Sequence, residues 1–159
     1  MSTGHDFDAI WREAGPAIWR AVYAYAGGRR DVADDAIAEA FARAIVQDAG
    51  IRDPVPYLYR LAFRIAAEDL KRMRKTIVSG ETGDTAVEDD HTAAEVVHEL
   101  RRLTPGQRAA IYLHYRMDLP VREVAAITGA SVAAVKVQLM RGRRRLAGIL
   151  ADDDQEVPR

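Results

Sequence analysis

The chain has 159 residues, of which 48% are hydrophobic and 30% are charged, and its formal net charge is -1. This length and composition predict a soluble globular protein that forms one medium domain or two small ones. The chain contains no cysteine, which excludes a disulfide framework and a thiolate metal site and fits a reducing cytoplasm.

Charge is unevenly distributed along the chain. Residues 51–75 hold seven basic and three acidic side chains, whereas residues 76–95 hold no basic and six acidic ones. Phosphate responds to the local field of a cationic face rather than to the sum over the whole chain. The near-neutral total therefore does not exclude nucleic acid as a partner.

The first half of the chain predicts helices. Alternating β-branched runs bounded by hairpin turns are missing from the sequence, so we expect an all-α fold. Apolar residues recur at helical spacing from Phe7 to Tyr25, although Pro16 predicts a turn or kink within that helix. The glycine pair in "GGRRD" ends it, and Asp31 is expected as the N-cap of the next helix. The apolar stripe of that second helix is Ile37, Phe41, Ala44 and Ile45.

A third helix and an acidic linker follow. Asp53 and Pro54 have the residue types of an N-cap and first helical position, and the helix should run to about Lys75. Residues 76–93, "TIVSGETGDTAVEDDHTA", contain two glycines, several hydroxyl residues and no cation. This composition predicts a flexible acidic linker between two helical units.

The second unit has the pattern of a helix-turn-helix domain. Thr104 and Pro105 predict a helix start, a short helix follows over about residues 121–128, and Ser131 caps a last helix that ends near Leu150. The predicted fold is therefore two small helical domains joined by a flexible acidic linker. The expected bounds are residues 5–75 for the first domain, 76–93 for the linker, 94–151 for the second domain and 152–159 for a disordered tail.

The last helix has an acid-free cationic face. Residues 130–146, "ASVAAVKVQLMRGRRRL", hold five cationic side chains and no acidic one. A helical wheel gives the core face as Val132, Val135, Leu139, Gly142 and Leu146. Small residues on the opposite face let the backbone approach a major groove, while longer side chains reach base edges and phosphates. The predicted duplex-binding residues are Ser131, Ala133, Ala134, Lys136, Val137, Gln138, Arg141, Arg144 and Arg145.

The third helix combines cations with aromatic side chains on one side. Its opposite side, Leu58, Leu61, Ala62, Ile65 and Ala66, is expected in the core. A face of this kind can hold phosphates and offer a stacking surface to unpaired bases. The residues predicted to bind nucleic acid are Tyr57, Arg60, Phe63, Arg64, Lys71, Arg74 and Lys75.

A structural explanation stays open for each surface. The arginines of the last helix could merely complement a helix C-terminus and keep the surface soluble. Tyr57 and Phe63 could be ordinary core aromatics, and "KRMRK" could be a solvated helix end.

The sequence lacks the motifs of an enzyme. No phosphate-binding glycine loop, no serine nucleophile elbow and no paired metal-binding histidine motif occurs, so we expect no catalytic residue, no metal and no cofactor. His114 lies on the apolar side of its helix, which favours a core or boundary residue over a ligand. Because no apolar run approaches the roughly 20 residues that cross a bilayer, we expect no membrane insertion and a cytoplasmic location.

Two segments carry a resemblance to a known family, the extracytoplasmic-function (ECF) group of bacterial RNA polymerase sigma factors. "DVADDAIAEAF", followed by "PYLYRLAFRIAAEDLKRMRK", resembles domain 2 of that family. "LTPGQRAAIYLHYRMDLPVREVAAITGASVAAVKVQLMRGRRRL" resembles its domain 4. The similarity extends from about Phe7 to Leu150, and the two motifs occur in the family's order across a short acidic linker.

The resemblance assigns a role to each surface. It implies that the third helix engages and opens the promoter -10 element and that the last helix reads the -35 element as duplex. It implies bacterial core RNA polymerase, promoter DNA and an anti-sigma factor as partners. By similarity, the residues that dock on the polymerase are Asp34, Asp35, Glu39 and Phe41.

Two other functions stay open at this point. One is a helix-turn-helix regulator that binds operator DNA without polymerase, as a dimer on two half-sites about 34 Å apart. The other is a sigma-like decoy that binds polymerase or a regulator and never opens DNA.

Overall fold

The computed structural model describes residues 4–76 and 98–155, with side chains over residues 4–73 and 98–148. Throughout these ranges the chain is helical with connecting turns and has no strand, as the sequence predicts. Residues 4–76 are called the N-terminal unit below, and residues 98–155 the C-terminal unit. The α-helices are α1 (Phe7–Tyr25), α2 (Arg30–Gln47), α3 (Pro54–Thr76), α4 (Pro105–Ile111), α5 (Val121–Thr128) and α6 (Val132–Gln155).

Helix α1 is continuous through Pro16, so the chain makes no turn there. Asp6 caps the helix, since its side chain accepts a hydrogen bond from the Ala9 N–H at 3.0 Å. A tight glycine turn ends it, where Gly27 and Gly28 have φ values of +69° and +83°. Glycine adopts this left-handed region without the steric penalty of a Cβ atom, so this pair fixes the bend into α2.

Helix α2 begins at Arg30, two residues earlier than a cap at Asp31 would require. Arg29 is the N-cap and makes no side-chain capping bond, so the predicted cap is wrong. Asp31 instead accepts a hydrogen bond from Arg29 Nη2 at 2.8 Å, and this bond holds the pKa of the Asp31 carboxyl below its usual value. Asp31 thus lies in the first helical turn, where a carboxylate still complements the helix dipole.

The core of the N-terminal unit lies between α1, α2 and α3. Helix α3 starts at Pro54, as predicted, and all five residues of its expected core side are buried. In α2, Ile37, Phe41 and Ala44 are buried, but Ile45 is 56% exposed, so its assignment to the core stripe is wrong. The stripe from Ile37 to Ala44 suffices to seat the helix, and Ile45 lies past the edge of the packed face.

The C-terminal unit begins with helical residues 98–101 and a capped helix α4. Thr104 Oγ1 accepts from the Gln107 N–H at 3.3 Å, and Gln107 Oε1 accepts from the Thr104 N–H at 3.2 Å. This reciprocal pair is a capping box, with Pro105 at the first helical position as predicted. A π-helical segment, Tyr112–Arg116, continues α4 toward α5.

The helix-turn-helix forms as the sequence predicts. Val124, Ala125 and Ile127 are buried on α5, Gly129 ends that helix at φ +72°, and Ser131 Oγ accepts from the Ala134 N–H at 3.0 Å. Helix α6 continues to Gln155, past the predicted end near Leu150. The stretch after Gly148 holds no glycine or proline before Pro158, and so nothing in it breaks the helix. Residues 156–159 lie outside the described residues.

The predicted linker cannot be compared with the structure. Of residues 76–93, only Thr76 is described, as the last residue of α3. The expected start of the second domain at Ala94 also lies outside the described residues.

The two units pack against each other, which the sequence did not predict. Helix α3 contacts α5, and α1 contacts α4 and the π-helical segment. Arg108 Nε donates to the Tyr25 carbonyl at 2.9 Å, and Arg101 Nε donates to the Gly27 carbonyl at 2.6 Å. The structure therefore joins the two predicted domains through hydrophobic contact and through two arginines.

Candidate nucleic-acid interface

The recognition helix α6 presents most of its predicted duplex-binding residues to solvent. Two of the nine, Ala134 and Gln138, are half-buried. The exposed ones are Ser131, Ala133, Lys136, Val137, Arg141, Arg144 and Arg145. The helix therefore has the cationic outer face that a major groove requires.

The buried side of α6 agrees with the predicted core face, with one exception. Val135, Leu139 and Gly142 are buried and Leu146 packs on the core, but Val132 is 43% exposed. Val132 is the first residue of α6, so it lies at the end of the helix. Its assignment to the core is wrong.

A close approach between α4 and α6 fixes the recognition helix. A Cβ atom on Gly142 would lie 2.8 Å from Ile111 Cγ1, well inside normal contact distance. Arg143, beside it, donates from Nη1 to the Tyr115 hydroxyl at 2.6 Å. Glycine at this position therefore lets the two helices touch, and it sets the angle at which α6 is presented.

The surface on α3 is only partly exposed. Arg64 and Lys71 are exposed, and Tyr57 and Arg60 are half-buried. Tyr57 donates a hydrogen bond from its hydroxyl to Gln47 Oε1 at 2.5 Å. Arg74 and Lys75 belong to α3, but their side chains lie outside the described residues.

Phe63 is buried, so its placement on an exposed face is wrong for this arrangement of the two units. It is 2% exposed, and its ring centroid lies 5.1 Å from that of Tyr25. It lines a cavity of about 140 Å³, together with Ala67 from α3 and with Ala134 and Gln138 from the recognition helix. The sequence places Phe63 on the border between the core and the cationic face, and the C-terminal unit covers that border.

The residues expected to dock on a polymerase have unequal exposure. Asp34, Asp35 and Glu39 are exposed on α2, and Glu39 forms an ion pair with Arg43. Phe41 is 5% exposed and packs edge-on against Trp11 with ring centroids 4.8 Å apart. The Phe41 ring therefore belongs to the core between α1 and α2 and not to the exposed side of α2, and its contact with a polymerase stays a prediction.

Sequence reasoning missed an aromatic groove between α1 and α2. Trp19 Nε1 donates to Asp34 Oδ1 at 2.8 Å, and its ring stacks on Tyr23 with centroids 4.9 Å apart. The guanidinium of Arg30 lies 5.9 Å from the Trp19 ring centroid, in cation–π contact. A helical wheel of α1 alone could have placed the tryptophans together, but it could not show that Asp34 binds one of them.

Sequence reasoning also missed the tyrosines near the boundary between the two units. Tyr59 on α3 and Tyr112 in the π-helical segment are both half-buried. Burial raises the pKa of each hydroxyl above its usual value, and each tyrosine is near enough to Arg20 for the cation to oppose that rise. Arg116 also opposes the rise at Tyr112, and burial outweighs the cations at both tyrosines.

His114 is a boundary residue, as predicted, and its Nδ1 donates to the Leu119 carbonyl at 2.8 Å. Over residues 4–76 and 98–155, no group of three or more His, Cys, Asp or Glu residues could hold a metal ion. In the same ranges, no single helix is long and apolar enough to cross a membrane. Helices α5 and α6 pass that test of length and composition only when joined across a 102° bend.

The family model for Sigma-70 region 4 matches residues 93–146. Two curated relatives extend the similarity beyond this region. The ECF RNA polymerase sigma factor BldN of Streptomyces coelicolor is 27% identical over 92% of this chain and 61% of its own length. The ECF RNA polymerase sigma factor SigJ of Mycobacterium tuberculosis is 33% identical over 70% of this chain and 41% of its own length. The chain thus spans less than two thirds of either relative.

Two solved structures share the fold. The sigma factor RpoE of Bartonella quintana, in complex with the anti-sigma factor NepR, superposes with a TM-score of 0.70 at 19% identity, covering 92% of this chain and 97% of that one. CnrH, in complex with the cytosolic domain of CnrY, gives a TM-score of 0.66 at 23% identity and covers 92% of this chain and 88% of that one. The chain is therefore similar to the ECF group of RNA polymerase sigma factors, over region 4 by the family model and over most of its length by these curated relatives.

Proposed function

We propose that this chain binds bacterial core RNA polymerase, recognises the promoter -35 and -10 elements and promotes DNA melting for transcription initiation. One observation carries the proposal. A solvent-facing cationic recognition helix and a second cationic helix with aromatic residues occur in one molecule, on separate units. A single groove-binding helix would serve an ordinary regulator, whereas two unlike surfaces suit one paired and one unpaired stretch of the same DNA.

The recognition helix is the element proposed to bind the -35 duplex. Arg141, Arg144 and Arg145 are exposed and can reach phosphates or base edges, and the small Ala133 lets the backbone come close to the groove. Lys136 and Val137 belong to the same exposed face. Ala134 and Gln138 would join it after the two units separate.

Helix α3 is the element proposed to act at the -10 element. Arg64 and Lys71 are exposed cations that can hold phosphate, and the half-buried Tyr57 is partly accessible while the two units are packed together. Stacking an unpaired base on an aromatic ring stabilises the separated strands and shifts the duplex toward its open state. Phe63 would add a second stacking ring only after it is uncovered.

Exposed carboxylates on α2 are proposed as the polymerase contact. Asp34, Asp35 and Glu39 lie along one side of the helix, whereas Phe41 supports it from the core. Two solved proteins of this fold are complexes with an anti-sigma factor and with the cytosolic domain of CnrY, and we propose an anti-sigma factor as a partner here as well. The chain would act in the cytoplasm and without catalysing a reaction itself.

Reconstitution with core polymerase tests this function. Purified chain and core polymerase from the same organism are incubated with fragmented genomic DNA, and run-off transcripts are sequenced. The proposal requires a discrete set of transcripts that depends on the chain. Binding to core polymerase without such transcripts would favour a decoy, and tight operator binding without polymerase would favour a regulator.

A further inference from the structure

A cavity of about 140 Å³ lies where α3 faces the helix-turn-helix. Phe63 and Ala67 of α3 form one wall, and residues of α4, α5 and α6 form the others. Protein interiors are packed about as densely as organic crystals, and voids larger than a water molecule are few. This cavity is therefore space that the fold leaves unfilled.

Small side chains create this space. Five of the twelve residues on the wall are alanines and one is a glycine. Ala110 of α4 is buried and Ala134 of α6 is half-buried, and neither side chain is long enough to reach across the gap. Atoms on the wall of a void lack dispersion partners on that side. A molecule that enters the cavity would restore those contacts.

Two aromatic rings line the inner side of the cavity. Tyr25 and Phe63 are both buried, and their ring centroids lie 5.1 Å apart with 30° between the ring planes. A third ring beside such a pair gains aromatic contacts in addition to plain burial. An apolar cavity of about 150 Å³ stays dry and takes benzene. The cavity therefore suits a single aromatic ring in both volume and surface chemistry.

Gln138 supplies a polar group to the wall. Thr128, another polar residue of the wall, already donates its hydroxyl to the Val124 carbonyl at 2.8 Å. The Gln138 amide makes no hydrogen bond to any other part of residues 4–73 and 98–148. A ligand hydroxyl can donate to the amide oxygen or accept from the amide nitrogen. The cavity can thus bind a ring that carries one polar substituent.

The exposed part of the wall shows where a ligand can enter. Gly106 and Ala130 line the cavity and are both exposed, so the cavity opens to solvent beside them. A Cβ atom on Gly106 would lie 3.0 Å from Gln138 Nε2, which puts the amide near this opening. The aromatic pair lies at the inner end. A molecule with an apolar ring and a polar tip would therefore enter ring first and leave its tip at Gln138.

We propose that this cavity is a binding site for a monocyclic aromatic compound with one hydrogen-bonding substituent, of which phenol is the simplest example. The ring packs against Phe63 and Tyr25, and the substituent bonds to the Gln138 amide. The site concerns the chain alone and does not depend on the proposed function, so each can fail without the other. A compound that binds the folded chain and not the unfolded chain also raises its melting temperature.

Phenol and toluene test the site, because they differ only in whether the ring carries a hydroxyl or a methyl group. Each is titrated into the purified, ¹⁵N-labelled full chain and followed by NMR. We expect saturable binding of both compounds. Phenol should also shift the side-chain amide signals of Gln138, which Gln138→Leu identifies by their absence. Gln138→Leu should weaken phenol binding about threefold to tenfold through the lost hydrogen bond and toluene binding by less than about twofold. Equal losses for the two compounds would reject the assigned hydrogen bond.

Filling the cavity tests its location. Ala134→Leu extends a side chain into the space from α6, and saturable binding of both compounds should be lost. Ala126→Leu is the matched control, since Ala126 is exposed on α5 and does not line the cavity, and it should leave both affinities unchanged. A circular dichroism melt shows whether each variant is folded. If Ala134→Leu unfolds the chain, Ala67→Leu fills the cavity from α3 instead. Undiminished binding in a folded, filled variant would overturn the proposal, as would the absence of saturable binding to the parent chain.

Discussion

The recognition helix α6 and helix α3 both carry cations along one side, but the fold covers them differently. Helix α6 rests on α4 within its own unit and turns its arginines outward. Helix α3 packs on α1 and α2 and is covered further by α5 of the other unit. One cationic surface is thus exposed along its length, and the other is partly covered by the second unit.

This difference has a physical reason. A duplex is present before melting, so a helix that reads it gains from being accessible at all times. Unpaired bases exist only after melting, and an exposed aromatic pair would leave apolar area in water until then. Covering Phe63 while leaving Arg64 and Lys71 exposed keeps the electrostatic attraction and hides the apolar part.

The largest effect on the free energy of unfolding is expected at Phe63, because the comparison of α3 with α6 depends on the burial of this ring. Phe63→Ala removes a 2% exposed ring and should destabilise the protein by about 3–5 kcal/mol, because a cavity remains where the ring was. Urea unfolding measures this loss. Tyr57→Phe, which loses only the bond to Gln47, should change the free energy of unfolding by about 0.5–1.5 kcal/mol. Equal effects of the two changes would contradict the difference in burial.

The second effect concerns how α6 is held. Gly142→Ala places a Cβ atom 2.8 Å from Ile111 Cγ1, and we expect a loss of about 1–3 kcal/mol in stability, since the packed helices must move apart. Gly148→Ala is the matched control, because a Cβ atom there meets nothing within 4 Å. Its better helix propensity should stabilise the protein by up to about 1 kcal/mol. Thermal melts of both variants check the prediction, and two changes of the same sign would refute it.

The third effect separates two arginines on the same helix. Arg141→Ala should weaken promoter binding, and the slope of log affinity against log salt should fall by about 1 if Arg141 meets a phosphate. If Arg141 meets a base edge instead, one base preference should relax. The control is Arg143→Ala, because Arg143 bonds to the Tyr115 hydroxyl. It should leave the promoter affinity and the salt slope unchanged. Filter binding across a salt series measures both quantities. Equal behaviour of the Arg141 and Arg143 variants would contradict the proposed geometry.

The smallest effect is expected at the α2 carboxylates. The Asp34→Asn, Asp35→Asn double variant removes two exposed charges while leaving an acceptor for Trp19 Nε1. Association with core polymerase should fall about threefold to tenfold, since exposed ion pairs contribute modestly. The control is Asp8→Asn with Glu13→Gln, which removes the same charge from exposed positions of α1. A pull-down in which both double variants retain polymerase equally would reject this contact.

Local signals made much of each unit predictable. The apolar periodicity of α3, the Thr104 capping box and the Ser131 cap depend on residues within a few positions of one another, and the structure has all three. The helix is continuous at Pro16, where a turn was possible, and Val132, the first residue of α6, is exposed rather than in the core. Such outcomes depend on what packs beside the helix.

Contacts between distant parts of the chain could not be predicted. The burial of Phe63 and the role of Arg108 depend on the docking of two units that are separated by the residues between Thr76 and His98. The family resemblance assigns Phe41 to the polymerase contact, whereas its ring fills the space beside Trp11. A helical wheel gives the direction of a side chain, but not the neighbour that it meets.

A footprint of the reconstituted holoenzyme on one of its promoters tests the central claim most directly, because it reports paired and unpaired DNA together. With hydroxyl radical and permanganate as probes, we expect a protected duplex segment that is lost in Arg141→Ala. A separate segment should contain reactive thymines, and Tyr57→Ala should reduce their reactivity more than it reduces the protection. Two equivalent duplex half-sites, protected by the chain without polymerase and free of reactive thymines, would contradict the claim.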